Sequence, residues 1–287
     1  MLIFLTKTVS GGRMDTDKKV VLITGGTSGI GKAIALHLHE KGYRVYGAAR
    51  RPEAAKDAPF KTVRVDVNSD ESVAECVAGL IAAEGRIDVL VNNAGFGVAG
   101  PVEENSIEDV KAQFETNYFG VVRMCRAVLP HMRAARKGLI INTSSLGGIV
   151  SVPFHAHYCA SKFAIEGLTE GLRMEVARFG IKVALIEPGD YKTGFTSGRK
   201  ICDETKNECP YNPEFISSLK KMEESEMNGP EPAPVARLVG RIIETKSPRL
   251  RYPVAPPPQN LMPALKRLLP WSIIEKIIAS NYGIKLS

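Results

Sequence analysis

The sequence predicts an α/β fold, a mostly parallel sheet with helices on both faces, and three observations carry that expectation. Apolar runs such as Val20-Val21-Leu22-Ile23-Thr24 are continuous rather than alternating, which suits strands buried on both faces. Each run leads into a segment of helical periodicity, and repeated strand-then-helix alternation demands a parallel sheet with right-handed crossovers. The first run passes straight into Gly25-Gly26-Thr27-Ser28-Gly29-Ile30-Gly31 and then a helical pattern (Ile34, Ala35, Leu38). That order sets backbone N–H groups and a helix N-terminus against a pyrophosphate, although the spacing is Gly-x-x-x-Gly-x-Gly, not Gly-x-Gly-x-x-Gly.

The elements follow in order. A second strand, 44–49, ends at Arg50-Arg51, where an NAD-binding unit usually carries an acidic residue for the ribose 2′-OH. Arginine at that point favours a 2′-phosphate, hence NADP(H), with Arg50 the better candidate and Arg51 the second. A third strand, 62–67, leads to a helix capped by Asn68 or Ser69. The fourth, 87–91, ends in Asn92-Asn93-Ala94-Gly95. Residues 107–133 read as one long helix with Asn117 inside it, a position where asparagine is usually just exposed. A fifth strand, 139–143, precedes Ser144-Ser145; a helix over 157–179 follows, then a sixth strand, 181–186, closed by Glu187-Pro188-Gly189. Ligands in such sheets bind at the carboxyl ends of the strands. The glycine turn, Asn93, Ser145 and Pro188-Gly189 are therefore expected to converge on one crevice.

The chain of 287 residues fits one large domain. Residues 1–17 are expected to be a flexible N-terminal extension, 18–255 the catalytic domain, and 256–287 a helical C-terminal extension. The charged, irregular stretch 190–234 reads as a substrate lid with short helices around 213–227. Residues 235–245 look helical, 250–254 like a last strand, and Pro256-Pro257-Pro258 like a rigid spacer. The tail (Ile273, Ile274, Ile277, Ile278) has three readings: core packing, a dimer contact, or an interfacial membrane helix near Trp271. Its cationic face is sparse, so core or dimer packing is favoured.

Composition narrows the classes. A net charge of +7 is spread along the chain among acidic residues, which favours a solvated surface over a nucleic-acid site. No segment approaches the ~18 uninterrupted apolar residues of a membrane span. Five cysteines show no Cys-x-x-Cys pair or zinc-like spacing, so a reduced, cytoplasmic protein is expected, with a Cys202–Cys209 bridge the oxidising-compartment alternative. The five histidines form no metal set. His155 and His157 sit just before Tyr158 and are candidates to touch substrate, although loop histidines more often face solvent or cap a helix.

The chemistry centres on Tyr158-Cys159-Ala160-Ser161-Lys162, read with Ser145. Tyrosine and lysine at i and i+4 share one helix face, one turn apart. A phenol has a reference pKa of about 10, and a fixed cation beside it favours the phenolate. Ser145 can donate a hydrogen bond to the same substrate oxygen that Tyr158 protonates.

With these residues placed, the chain resembles the short-chain dehydrogenase/reductase family across residues 18 to about 254. The matching motifs are Thr24-Gly25-x-x-x-Gly29-x-Gly31, Asn92-Asn93-Ala94-Gly95, Asn117, Ser145, Tyr158-x-x-x-Lys162 and Pro188-Gly189. Each is weak alone; in this order they are highly specific. The resemblance implies a doubly wound, Rossmann-type sheet of seven strands in a single domain. It implies Tyr158 as proton donor or acceptor, Ser145 polarising the carbonyl, Lys162 lowering the tyrosine pKa and holding the nicotinamide ribose, and Asn117 supporting a water in a proton relay. By the same carry-over Thr27, Ser28 and Ile30 line the pyrophosphate turn, Asp66 and Val67 flank the adenine, Asn93 touches the adenosine ribose, and Tyr191 and Thr193 meet the nicotinamide and phosphates.

Within the family, Tyr158 to Ala164, the late Arg249-Leu250-Arg251-Tyr252 and the long segment after Pro188 look like hydroxysteroid and retinol dehydrogenases. The charge of residues 190–234 argues against a fully apolar substrate. The expected function is NADP(H)-dependent interconversion of an alcohol with a ketone or aldehyde, by a homodimer or homotetramer with no nucleic-acid partner. The alternative is a non-catalytic dinucleotide sensor or scaffold of the same fold.

Overall fold

The computed structural model describes residues 18–202 and 210–286. The expected flexible extension at 1–17 and the Cys202–Cys209 alternative fall on residues outside these.

Seven strands form one sheet: β1 (Val20–Thr24), β2 (Arg44–Ala49), β3 (Lys61–Arg64), β4 (Val89–Asn92), β6 (Gly138–Thr143), β7 (Ile181–Pro188) and β9 (Arg251–Val254), in the order β3-β2-β1-β4-β6-β7-β9. Every pairing is parallel. The chain runs outward from β1 to β3 and then returns to β4 on the other side of β1, so the crevice opens at the carboxyl ends of β1 and β4.

Alternation along each strand assigns its side chains to two cores. Val20 and Leu22 pack on one face with α2 (Asp70–Glu84), α4 (Gly120–Ala134) and α5 (Ala156–Val176). Val21 and Ile23 pack on the other with α1 (Gly29–Glu40) and α7 (Ala233–Glu244). Ser69 rather than Asn68 caps α2, accepting from Ser72 N at 3.1 Å. A chain of buried amides holds the centre: Asn92 Nδ2 donates to Asn142 Oδ1 at 2.9 Å, and Asn142 Nδ2 to Thr169 Oγ1 at 2.9 Å. It ties β4 to β6 and β6 to α5.

Three elements differ from the sequence reading. The long helix over 107–133 is α3 (Ile107–Phe114) and α4 joined by a π turn, Glu115–Phe119, which rotates Asn117 into the interior. A small parallel pair, β5 (Val98–Ala99) with β8 (Lys200–Ile201), anchors the start of the lid; such short pairings leave no periodic signal. The proline run turns rather than extends, with Pro258 at φ −86, ψ 1, and delivers Gln259 to the lid. There Gln259 Oε1 accepts from Asp190 N at 2.9 Å.

The C-terminal extension, α8 (Met262–Leu268) and α9 (Trp271–Tyr282), packs on this chain. Ile274 and Ile278 form a cluster with Val150 of the segment after β6. The other face meets α6 (Glu214–Met227), where Ser218 Oγ donates to Tyr282 O at 3.0 Å. No helix among the described residues is long and apolar enough to cross a membrane.

Candidate active site

The glycine turn is built for close approach. Gly25 takes φ +64, a left-handed conformation that L side chains rarely adopt. A Cβ on Gly31 would lie 2.1 Å from Gly25 O, so only glycine closes this turn against α1. Beneath it Thr24 Oγ1 accepts from Asn93 N at 2.9 Å and Ala94 N at 3.1 Å, while Asn93 Nδ2 donates to Thr24 O at 3.1 Å. The two strand ends flanking the crevice are thereby locked together. Thr24 is a positioning residue that the motif contained but that sequence reasoning gave no role.

Ser145 leaves β6 in extended backbone and caps a 3₁₀ turn at Leu146–Gly148, its Oγ accepting from Gly147 N at 3.0 Å. Tyr158 and Lys162 stand in the first two turns of α5. Lys162 Nζ lies 5.7 Å from the centroid of the Tyr158 ring and donates to Thr143 O at 3.0 Å. Asn117 works as a backbone clamp: Oδ1 accepts from Phe96 N at 3.0 Å, and Nδ2 donates to Phe96 O at 2.9 Å and to Ser161 Oγ at 3.1 Å. Ser161 Oγ in turn donates to Tyr158 O at 2.7 Å. Asn117 thus ties the loop after β4 to the catalytic turn of α5.

A cavity of about 510 Å³ joins these parts. Gly25, Ser28, Gly29, Ile30, Asn93, Ser145, Tyr158, Lys162, Tyr191 and Thr193 all line it. Thr27 and Gly31 build the turn from outside the lining, and Asn117 lies buried behind Phe96. Arg50 is exposed just past β2, and Asp66 and Val67 follow β3. The glycine cradle and the continuity of turn, Asn93 and Lys162 along one crevice fit a dinucleotide. A family model described as short chain dehydrogenase matches residues 19–201. The chain belongs to the short-chain dehydrogenase family.

This short-chain dehydrogenase is 43% identical over 267 residues to the 3-ketodihydrosphingosine reductase of Bacteroides thetaiotaomicron, covering 93% of this chain and 99% of that protein. It is 37% identical over 255 residues to human retinol dehydrogenase 8, covering 81% and 80%. Among solved structures, a short-chain dehydrogenase from Streptomyces avermitilis superposes with a TM-score of 0.79 at 32% identity, covering 94% of this chain and 99% of that one. One from Burkholderia phymatum in complex with NAD gives 0.74 at 27%, covering 92% and 97%. ElxO with NADP bound gives 0.67 at 28%, covering 83% and 97%. The chain is an oxidoreductase of a fold that binds nicotinamide dinucleotides.

Burial dominates the electrostatics of the site. The Tyr158 phenol is pushed up, not down: burial dominates, Asp190 and Glu226 add to it, and interaction with the Ser145 hydroxyl opposes it. Lys162 does not reverse the shift because its ammonium is turned to the Thr143 carbonyl, and burial lowers its own pKa to about 8. Tyr158 is therefore held protonated at neutral pH.

His155 stands at the N-cap of α5, without a side-chain capping bond, and lines the cavity. It is 6% exposed, its ring stacks on Tyr158 with centroids 4.8 Å apart, and burial with the Arg199 charge lowers its pKa to about 3. Asp190 and Glu226 also line the cavity and were missed, since a charged lid residue reads as solvated until its packing is known. Among the described residues no cluster of three or more metal-ligating side chains occurs.

Proposed function

We propose that this short-chain dehydrogenase uses NADP(H) to interconvert a ketone and an alcohol on a long-chain, lipid-like substrate. The observation that carries the reading is the composition of the cavity. Ser145, Tyr158 and Lys162 line it, and Leu261, Met262, Leu265, Ile277 and Ile278 of the C-terminal extension supply apolar lining. An alkyl chain lies against that lining while its oxygen meets Tyr158. The names of the bacterial reductase and of retinol dehydrogenase 8 support a lipid-like substrate.

The bound nicotinamide would supply the hydride, and the chain supplies position and a proton. Tyr158, protonated at neutral pH, donates to the carbonyl oxygen; Ser145 donates a second hydrogen bond to it; Lys162 supplies fixed positive charge below. Asn117 holds the catalytic turn and, in the fuller reading, supports a water in the proton relay. Thr27, Ser28 and Ile30 hold the pyrophosphate, Asp66 and Val67 the adenine, and Asn93 the adenosine ribose. Tyr191 and Thr193 close on the nicotinamide end. The exposed Arg50 beside the turn takes the 2′-phosphate.

The enzyme pairs through α4 and α5, where Phe119 (47% exposed) of the π turn leading into α4 and Phe163 (41%) and Met174 (74%) of α5 present apolar surface. Unbridged, buried Cys76, Cys125 and Cys159 suit a reducing compartment such as the cytoplasm.

Equilibrium binding of NADPH and NADH to the wild type and to Arg50→Ala tests the cofactor. The expected result is a clear NADPH preference that collapses in the variant. Equal affinities in the wild type would remove the 2′-phosphate site and leave the catalytic reading in place.

A further inference from the structure

The C-terminal extension divides its apolar residues between two directions. Ile274 and Ile278 of α9 turn into the molecule, whereas Ile273 and Ile277 are exposed. Leu268, at the end of α8, is 76% exposed, and Trp271, at the start of α9, is 53% exposed. Leu261, just before α8, is exposed as well. An apolar side chain standing singly on a surface needs no explanation, but a run of them on two helices packed side by side does.

The charge of this face says what covers it. Residues 256–286 hold four basic side chains, Lys266, Arg267, Lys276 and Lys285, against one acidic, Glu275, an excess of three positive charges (4 − 1). Lys266 is tied to this chain, over the Phe163 ring at 5.0 Å and donating to Ile149 O. Arg267, Lys276 and Lys285 are exposed and pair with no carboxylate among the described residues. By itself α9 carries one cation and one anion, which is why its cationic face reads as sparse in the sequence; α8, packed beside it, adds Arg267. A second copy seated on this face through a two-fold axis would set positive charge against positive charge. A layer of anionic lipid headgroups complements both the cations and the apolar side chains.

The cavity supplies an independent observation. Leu261 and Ile277 are exposed and also line the cavity, so its mouth opens among the exposed apolar residues. Half-buried Met262 and Leu265 and buried Ile278 continue the apolar lining inward. An apolar tail passing from a bilayer into this mouth stays out of water along the way.

We propose that the face formed by α8 and α9 docks on an anionic lipid bilayer, with Leu268 and Trp271 entering the boundary between headgroups and acyl chains and Arg267, Lys276 and Lys285 meeting the headgroups. The indole of Trp271 suits that boundary, having an apolar body and a polar N–H. The contact is peripheral: no helix among the described residues is long and apolar enough to cross a membrane. The docking concerns where the protein sits, goes beyond the reaction proposed above and does not depend on it.

Co-sedimentation of the full chain with phosphatidylglycerol vesicles and with phosphatidylcholine vesicles tests the docking. The wild type should bind the anionic vesicles more tightly, by about fivefold for each cation that reaches the surface. Combining Leu268→Glu with Trp271→Glu should lower binding to phosphatidylglycerol by about tenfold or more, and combining Arg267→Glu with Lys276→Glu should abolish the preference between the two lipids. All four side chains are exposed and lie outside the cavity lining, so Tm should stay near that of the wild type. Phosphatidylglycerol binding that survives both pairs of substitutions would place the contact elsewhere on this basic chain and overturn the proposal. So would a wild type that ignores both vesicles, and sedimentation equilibrium then tells whether a second copy covers the face: its mass would fall by half in the Leu268→Glu, Trp271→Glu variant. Vesicle binding and turnover are read separately, so loss of the docking leaves the oxidoreductase reading standing, and absence of turnover leaves the docking.

Discussion

At the scale of single residues, the proposed chemistry depends on a phenol held protonated. Burial raises the Tyr158 pKa, and Ser145 alone among its neighbours clearly lowers it. Tyr158→Phe removes the proton and little else, because the ring keeps its contacts with His155 and with Phe195, 5.4 Å away between centroids. Turnover should fall by about 10²–10⁴-fold, the usual worth of a positioned acid, with NADPH affinity held within about twofold. Unchanged turnover, measured with cofactor binding in parallel, would contradict the assignment. That Tyr158, Lys162 and Ser145 converge on one cavity was legible in the sequence, because residue type and spacing mark all three. The approach of Asp190 and Glu226 to the cavity was not, because it comes from burial that only the folded lid creates; His155 was singled out, but not its stacking on Tyr158.

The same contrast holds for elements. Continuous apolar runs made β1, β4, β6 and β7 legible, because a strand buried on both faces has no polar side to obscure it, whereas the two-residue β5 and β8 left no pattern. The π turn at Glu115–Phe119 was illegible: one extra residue in the helical ladder changes which face Asn117 occupies without changing the apolar pattern. The destination of the C-terminal helices was also open, since an amphipathic stripe does not name its partner. The structure sets Ile274, 0% exposed, against Val150 in the wall of the substrate cavity. Truncating such a fully buried isoleucine costs about 2–5 kcal/mol, borne here by the docking of α9 rather than by the sheet. Ile274→Ala should therefore raise KM for a long-chain ketone severalfold or more and leave KM for a short ketone nearly unchanged. Parallel kinetics with the two substrates check this, and equal effects on both would show that the extension does not hold the alkyl chain.

At the scale of the molecule, acidic groups buried at the carboxyl end of β7 link stability to pH. Burial raises the Glu187 pKa to about 7, with Glu166 adding to it and Arg251 opposing. The folded state then binds a proton that the unfolded chain, with a carboxylate pKa near 4.3, releases earlier. This contribution is fully present below the unfolded value and is lost as pH rises through about 7. Glu187→Gln lacks that loss, so its Tm relative to wild type should climb between pH 5 and pH 8; a constant difference would contradict the shift. The same sheet that buries Glu187 brings the glycine turn, Ser145 and Pro188 to one crevice, where the proposed hydride and proton meet on a lipid ketone. The most direct measurement is reduction of 3-ketodihydrosphingosine with NADPH deuterated at the nicotinamide C4, followed by mass spectrometry of the alcohol. One deuterium on the carbinol carbon is expected from the wild type, and almost no alcohol from Tyr158→Phe. Alcohol without deuterium from both C4 epimers of the labelled cofactor, or no alcohol at all, would contradict the proposal.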